Sequence, residues 1–275
     1  MKNTIAVVAL FSVFAVSSCN KKKSDHLTAN VTEVAQPEKF TLDSVVVKDS
    51  VMLTDSLKIK FSAQMLVFPT IKDKKLLDSI YYTSKDVRDF SKDGIKKLNE
   101  KEKNDYFNTV KKDSKDWLPD IRYYQEWYSD TSMKMVSNVN DYMHIKYFWG
   151  SYEGGAHDNY GFAERVFDLK NKKKLQLDDI TSMPKNKLEE LLKNNINKQP
   201  GGTTDENGTV DNSDMLIVDK IPATGNFYFD QKNLYFHYSP YEITAFAAGD
   251  LLIPISWEEL KGTLKPEFME RMKIK

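Results

Sequence analysis

Cysteine is almost missing from this chain: Cys19 is the only one in 275 residues, so neither an internal disulfide nor a multi-cysteine metal site can form. Histidine is scarce as well. The four histidines, His26, His144, His157 and His237, never adopt the His-x-x-x-His spacing that marks a common class of zinc site. No Gly-x-Ser-x-Gly nucleophile elbow occurs, and no glycine-rich loop opens a helix with the lysine that a phosphate cradle requires. Charge of one sign is lacking too: 40 basic and 40 acidic side chains cancel, which removes the global field that draws a protein to nucleic acid. No apolar run reaches the roughly 20 residues needed to cross a bilayer. These absences assign no catalytic residue, no metal ligand and no cofactor, and they make an enzyme the minority reading.

What is present begins at the N-terminus. Met1-Lys2-Asn3 is followed by an apolar stretch from Ile5 to Val16, which suits a signal-peptide core. It ends in Val16-Ser17-Ser18-Cys19, small residues before a cysteine, which resembles the lipobox of bacterial lipoproteins. That resemblance implies cleavage after residue 18 and lipidation of Cys19. Residues 19–40 are polar, include Lys21-Lys22-Lys23, and read as a flexible leader. The expected location is the cell envelope, with the chain held through its lipid on the periplasmic face of the outer membrane or on the cell surface.

From Thr41 the pattern changes. Residues 41–68 are rich in β-branched side chains with partial alternation and read as two or three strands. A short helix is expected over 72–82. A longer one is expected from 85 to about 116, with a kink or break at Gly94 and a stop at Pro119. Everything from Arg122 to Ile180 reads as β, with a hairpin turn at the basic run Lys170–Lys174. Ser182 is the expected N-cap of a helix striped by Leu188, Leu191, Leu192 and Ile196, which Pro200-Gly201-Gly202 stops. An exposed loop, two strands turned at Gln231-Lys232, a further loop, a last strand and a short helix in 257–264 complete the chain. Strands and helices come in blocks, which indicates α+β: two mainly antiparallel sheet-plus-helix domains of the two-layer α/β sandwich type, over 41–120 and 121–275.

Chemical interest centres on residues 152–161, Tyr-Glu-Gly-Gly-Ala-His-Asp-Asn-Tyr-Gly. Glycine pairs supply positive φ where a strand reverses, and His157 is flanked by Glu153 and Asp158. This turn is expected to touch the Ser239–Ile243 loop, with His157 reaching the backbone or Glu242. His144 and His237 sit within aromatic strands, where a structural role is the simpler expectation. Tyr123, Tyr124, Trp127, Tyr128, Tyr147, Phe148, Trp149 and Tyr152 are more aromatics than one sheet face can bury, and exposed tyrosine and tryptophan suit protein or sugar surfaces.

The second half resembles a domain pair found outside the membrane in RsiV-type anti-sigma factors and in the non-catalytic region of PdaC-type peptidoglycan deacetylases. The resemblance rests on Tyr152, Gly154, Gly155, Ala156 and His157, then Phe167-Asp168-Leu169, then Pro240-Tyr241-Glu242-Ile243 and Gly249, in that order over residues 120–265. Relatives often read Ala-Pro-Tyr-Ala where this chain has Thr244-Ala245-Phe246-Ala247, so contacts of that proline and hydroxyl do not carry over. The resemblance implies Tyr152, Glu153, Gly154, Gly155, His157, Tyr241 and Glu242 as binding residues. It also implies a lysozyme-like protein or a peptidoglycan component as partner. A lipobox leaves nothing in the cytoplasm to hold a sigma factor, so no such partner is expected. Aspartate-serine-aliphatic triplets such as Asp43-Ser44-Val45 and Asp49-Ser50-Val51 resemble O-glycan acceptor sites of some Bacteroidota. The alternative function is a peptidoglycan-directed hydrolase or deacetylase centred on His157 and its acidic neighbours.

Overall fold

Strand β1 (Asp43–Thr54) and strand β2 (Leu57–Val67) form a long antiparallel hairpin turned at Asp55-Ser56. The computed structural model describes residues 39–83, 87–206 and 208–275. The expected signal peptide, most of the leader and Cys19 lie outside the described residues. On β2 the period of two is regular: Leu57, Ile59, Phe61, Ala63 and Met65 are buried, while the intervening Lys58, Lys60, Ser62 and Gln64 are not.

Helix α1 (Lys74–Ile80) buries Leu76, Leu77 and Ile80 and is capped by Asp73, which accepts from the Leu76 amide. Helix α2 (Lys92–Asp113) starts seven residues later than the apolar pattern suggests. Ser91 is its N-cap, accepting from the Gly94 amide at 3.1 Å. Gly94 therefore sits in the first turn and marks no kink. A Cβ there would lie 2.3 Å from the Asp89 carbonyl oxygen, so the tight entry into the helix requires glycine. The helix also ends before Pro119, which lies in a separate 3-10 turn, Leu118–Asp120.

Strands β3 (Gln125–Val139), β4 (Tyr142–Tyr152), β5 (Asn159–Asp168) and β6 (Lys173–Lys174) complete a six-stranded sheet in the order β1-β2-β3-β4-β5-β6. Every pair is antiparallel except β2–β3, which is parallel and has α1 and α2 in its connection. This parallel pair spans the position expected to separate 41–120 from 121–275, and residues 39–275 form one compact unit.

The basic run is a reversal between β5 and β6, with Lys172 at φ 53°. Beyond Lys174 the expected strand gives way to a helical turn, α3 (Leu177–Ile180), because Gln176 and Asp179 cap one another's backbone amides. Helix α4 (Lys185–Asn195) is entered through Pro184. Ser182 is not its cap: the Ser182 hydroxyl donates to the Thr263 carbonyl at 3.0 Å. A small hairpin, β7 (Thr204–Asp205) and β8 (Gly208–Thr209), lies in the glycine-containing loop. Strands β9 (Phe227–Phe229), β10 (Asn233–Tyr238) and β11 (Leu251–Ser256) form a second antiparallel sheet in the order β11-β10-β9. Residues 257–263 are turns rather than the expected helix, and Leu264 forms an isolated bridge with Thr181. The last helix, α5 (Pro266–Met272), is opened by Pro266, whose fixed φ suits the first helical position.

The result is α+β and layered. Helices α1 and α2 cover one face of the large sheet around Val45, Phe61, Ala63, Ile95, Ile145 and Phe167. The opposite face is covered at its β4–β5 end by the second sheet with α4 and α5, around Tyr142, Val166, Leu188, Phe236, Ile253 and Phe268. Its other half stays open, where Lys48, Lys60, Ser62 and Asp130 line a shallow polar trough. Among the described residues no helix is long and apolar enough to cross a membrane.

Candidate functional site

The β4–β5 turn carries the residues singled out by sequence. Gly154 and Gly155 adopt φ of 91° and 111°, the region that side chains disfavour. A Cβ on Gly154 would contact the Trp127 ring at 3.4 Å, so glycine also lets the turn lie flat over that indole. Tyr152 donates its hydroxyl to the Gly155 carbonyl at 3.0 Å, and Tyr128 donates to the Asp158 carboxylate at 2.8 Å. Both ends of the turn are thereby tied to the sheet.

One flank of the turn is open. Glu153, Gly154 and Gly155 border a groove of about 580 Å³ whose remaining walls include Trp117, Arg122, Tyr123 and Trp127. The Trp117 and Trp127 rings lie 5.2 Å apart at 36°. Trp117 is held by its indole N–H, which donates to the Asp113 carbonyl at the end of α2. The 121–125 segment is fixed by Ser56, whose hydroxyl donates to the Ile121 carbonyl and whose own carbonyl accepts from the Gln125 amide. Tyr123 is 82% exposed, and Tyr124 and Trp117 are exposed beside it. The aromatic surplus in the sequence thus divides: Trp127 and Tyr147 go into the helix-side core, and the others rim the groove or the sheet surface.

The other flank carries a ring cluster at the surface. The His157 ring stacks on Phe246 with centroids 3.9 Å apart at 18°. Its Nδ1–H donates to the Asp158 carbonyl, and Tyr241 reaches Nε2 with its hydroxyl at 3.2 Å. Tyr241 itself sits at φ 67°. The two loops expected to touch therefore do so, through rings. Glu242 is not the partner of His157; its carboxylate turns back to accept from the Ser239 amide at 2.9 Å. The turn is thus a groove wall on one side and a solvent-exposed contact with the 239–246 loop on the other.

A second constellation escaped the sequence reading. Between the two sheets, Glu164 on β5 bridges two histidines: its carboxylate accepts from His144 Nε2 at 2.6 Å and from His237 Nδ1 at 2.9 Å. His237 Nε2 continues the chain to the Asp250 carboxylate at 2.9 Å. Glu164 and His237 are almost wholly enclosed, at 2% and 0% exposure. Rings close the cluster on both sides, with Tyr228 stacked on His144 and Phe162 stacked on His237. Asn226 and Ser239 seal the adjoining free edge of β5 by bonding the Phe162 and Glu164 backbone. Each histidine lies in an aromatic strand and reads singly as structural. The available signal was an ionisable residue in each of three strands otherwise destined for the interior: His144 in β4, Glu164 in β5 and His237 in β10.

Ionised carboxylates only accept hydrogen bonds, so a histidine placed between two of them must donate from both nitrogens. His237 is therefore an imidazolium in the core. Burial opposes that charge, but its bonds to Asp250 and Glu164 outweigh burial and raise its pKa above the ordinary 6.5. Burial likewise opposes the charge on Glu164, yet the bonds from His144 and His237 hold its pKa down at about 2. The raised histidine contributes stability that is complete below pH 6.5 and is lost as pH climbs through its folded value. The depressed glutamate contributes stability that is complete above its ordinary 4.5 and is lost as pH falls toward 2. Urea midpoints are accordingly expected to peak between about pH 4.5 and 6.5 and to fall on both sides. In Glu164→Gln the acid-side loss should shrink, because that carboxylate no longer titrates. Among the described residues no group of three or more histidine, cysteine, aspartate or glutamate side chains is arranged to hold a metal ion.

Two packed sheets with helices outside them define the class: a layered α+β protein with an aromatic groove at one end. Residues 175–258 match the family model described as a protein of unknown function, DUF3298. The fold is similar to the crystal structure of a DUF3298 family member from Bacteroides fragilis NCTC 9343, at 22% identity over 87% of this chain and 99% of that chain, with a TM-score of 0.70. It is also similar to that of a DUF3298 family protein from Pseudomonas aeruginosa PAO1, at 15% identity over 84% of this chain and 97% of that one, with a TM-score of 0.56. At these identities the likeness establishes the fold. No curated protein matches the chain. The matched segment contains His237, Tyr241, Glu242 and Asp250, while the β4–β5 turn and the groove precede it.

Proposed function

We propose that this protein is a non-enzymatic lipoprotein of the cell envelope that binds a wall component, either peptidoglycan or a lysozyme-like protein acting on it, in the groove beside Gly154 and Gly155. The observation that carries this reading is the groove itself. It is open to solvent, and its walls present Trp117 and Tyr123 beside the charged Asp120, Arg122 and Glu153. Aromatic side chains bring large contact area for little lost freedom, and polar groups at their rim fix orientation. The lipobox ending at Cys19 supports attachment to an envelope membrane. The resemblance to RsiV-type and PdaC-type extracellular domains supports a partner at the wall.

The test is retention of the purified protein on isolated peptidoglycan sacculi and, separately, on immobilised lysozyme. Trp117 and Tyr123 are exposed, so Trp117→Ala and Tyr123→Ala should leave the fold intact. Each is expected to weaken binding by about tenfold or more, the scale of an aromatic contact residue. Retention on neither material, or retention that the double variant leaves unchanged, contradicts the reading.

A further inference from the structure

The buried histidine chain ends in an opening of its own. At the far side of the β4–β5 region from the groove, a cavity of about 170 Å³ is lined by Ser137, Val139, Tyr142, His144, Phe229 and Met272. Its walls are mainly apolar and come from β3, β4, β9 and α5. His144 supplies its polar tip. The histidine side chain is 5% exposed, and its orientation is set by two contacts: Nε2 bonded to Glu164 and the ring stacked on Tyr228 at 4.7 Å.

That arrangement determines the chemistry of the other nitrogen. Glu164 accepts only, so Nε2 carries a proton, and Nδ1 is the ring nitrogen left for a hydrogen bond outside the cluster. Nδ1 has no protein partner among the described residues. Asn99, Tyr106 and Trp257 carry polar atoms sealed away without partners, but Nδ1 of His144 is not one of these sealed atoms, so it meets open volume. A buried polar nitrogen facing an apolar cavity costs free energy until a hydrogen-bond partner reaches it. Asp230 at the mouth is already engaged: it accepts from the Lys232 and Asn233 amides and from the Tyr235 hydroxyl.

We propose that this cavity is a binding site for a compact, single-ring molecule bearing one hydroxyl, with the ring against Tyr142, Phe229 and Met272 and the hydroxyl on His144 Nδ1. Its volume supports this size class, since an apolar cavity of about 150 Å³ accommodates one benzene ring. The site is independent of the aromatic groove and does not rest on its function.

Phenol and anisole are the probes, because they share a ring and differ in the donor. Titration of the isotope-labelled full chain with phenol is expected to give saturable amide shifts at Val139, Phe229 and Gln231. Anisole should bind about tenfold more weakly, the worth of one well-placed hydrogen bond. Val139 is half exposed, so Val139→Trp should close the mouth and abolish the phenol shifts while leaving the thermal midpoint in place. Phenol shifts that do not saturate or that map elsewhere overturn the proposal. So does equal affinity for phenol and anisole, or phenol binding that survives Val139→Trp in a folded protein.

Discussion

Replacing Glu164 with alanine is expected to destabilise the protein by about 3–5 kcal/mol, the range for removing one member of a buried ion pair. The reason is what remains. His237 is fully enclosed and doubly donating, and loss of Glu164 leaves its Nδ1–H aimed at a void and its charge opposed by Asp250 alone. His144 loses its acceptor in the same step. Lys146, whose Nζ lies over the Phe162 ring at 3.9 Å, loses its nearest buried counter-charge. A domain of this size is stable by roughly 5–15 kcal/mol, so the variant should unfold at a much lower urea midpoint or fail to fold. Glu164→Gln keeps the volume and one acceptor and should cost less. If urea unfolding shows alanine and glutamine equally mild, within about 1 kcal/mol of the parent, the cluster does not hold the layers together.

The second large effect is expected at Arg271, which fastens α5 to the large sheet. Its Nη1 donates to the Asp168 carboxylate at 2.7 Å, its Nη2 to the Asn140 carbonyl at 3.1 Å, and its guanidinium lies over the Tyr142 ring at 3.9 Å. Asp168 is buried, with a depressed pKa: burial alone would raise it, but the bonds from Arg271 and Asn171 prevail. Arg271→Ala leaves that carboxylate with only the Asn171 amide and side chain. A loss of about 3 kcal/mol is expected, nearer the lower bound because those two bonds persist. Arg271→Lys keeps the charge but not the forked geometry and should recover only part of it. Hydrogen exchange offers the sharper reading: amides of α5 should lose protection before those of β2 and β3. Uniform loss across the fold would show that α5 is not the element released.

These two clusters also show where sequence reasoning stopped. Alternating or aromatic-rich patterns located strands in 41–68, around the 152–161 turn and on both sides of Gln231-Lys232; burial alternates regularly along β2, whereas Tyr142–Ile145 of β4 are all buried because the sheet is covered on both faces there. Helix starts were less legible. Ser91 caps α2 inside a polar stretch that reads as continuous helix, and Pro184, with no side-chain cap bond, took the place expected of Ser182. The parallel β2–β3 pairing had no local signal, since it joins segments separated by two helices. Phe167-Asp168-Leu169 was legible as a family mark but not as chemistry. The structure gives Phe167 to the helix-side core and makes Asp168 the socket for Arg271, a partner 103 residues away. The candidate turn was visible in its glycines and histidine. Its groove was not, because Trp117 and Arg122 reach it from a helix end and an irregular segment.

The role of Tyr241 sharpens the same point. It lies beside Glu242, the side-chain partner that the sequence offers for His157. Ring packing prevailed instead: Phe246 and Tyr241 take the imidazole, and Glu242 caps its own loop. Phe246 has no hydroxyl, and its ring alone makes the stack on His157.

The groove as recognition surface is tested most directly by mapping amide shifts of the isotope-labelled protein during separate titrations with soluble peptidoglycan fragments and with lysozyme. The account predicts that at least one of them shifts Gly154, Gly155 and residues 117–127 saturably, and that Trp117→Ala removes those shifts. Binding that moves only the open trough around Lys48, Lys60 and Asp130, or no shift at the groove with either material, contradicts it.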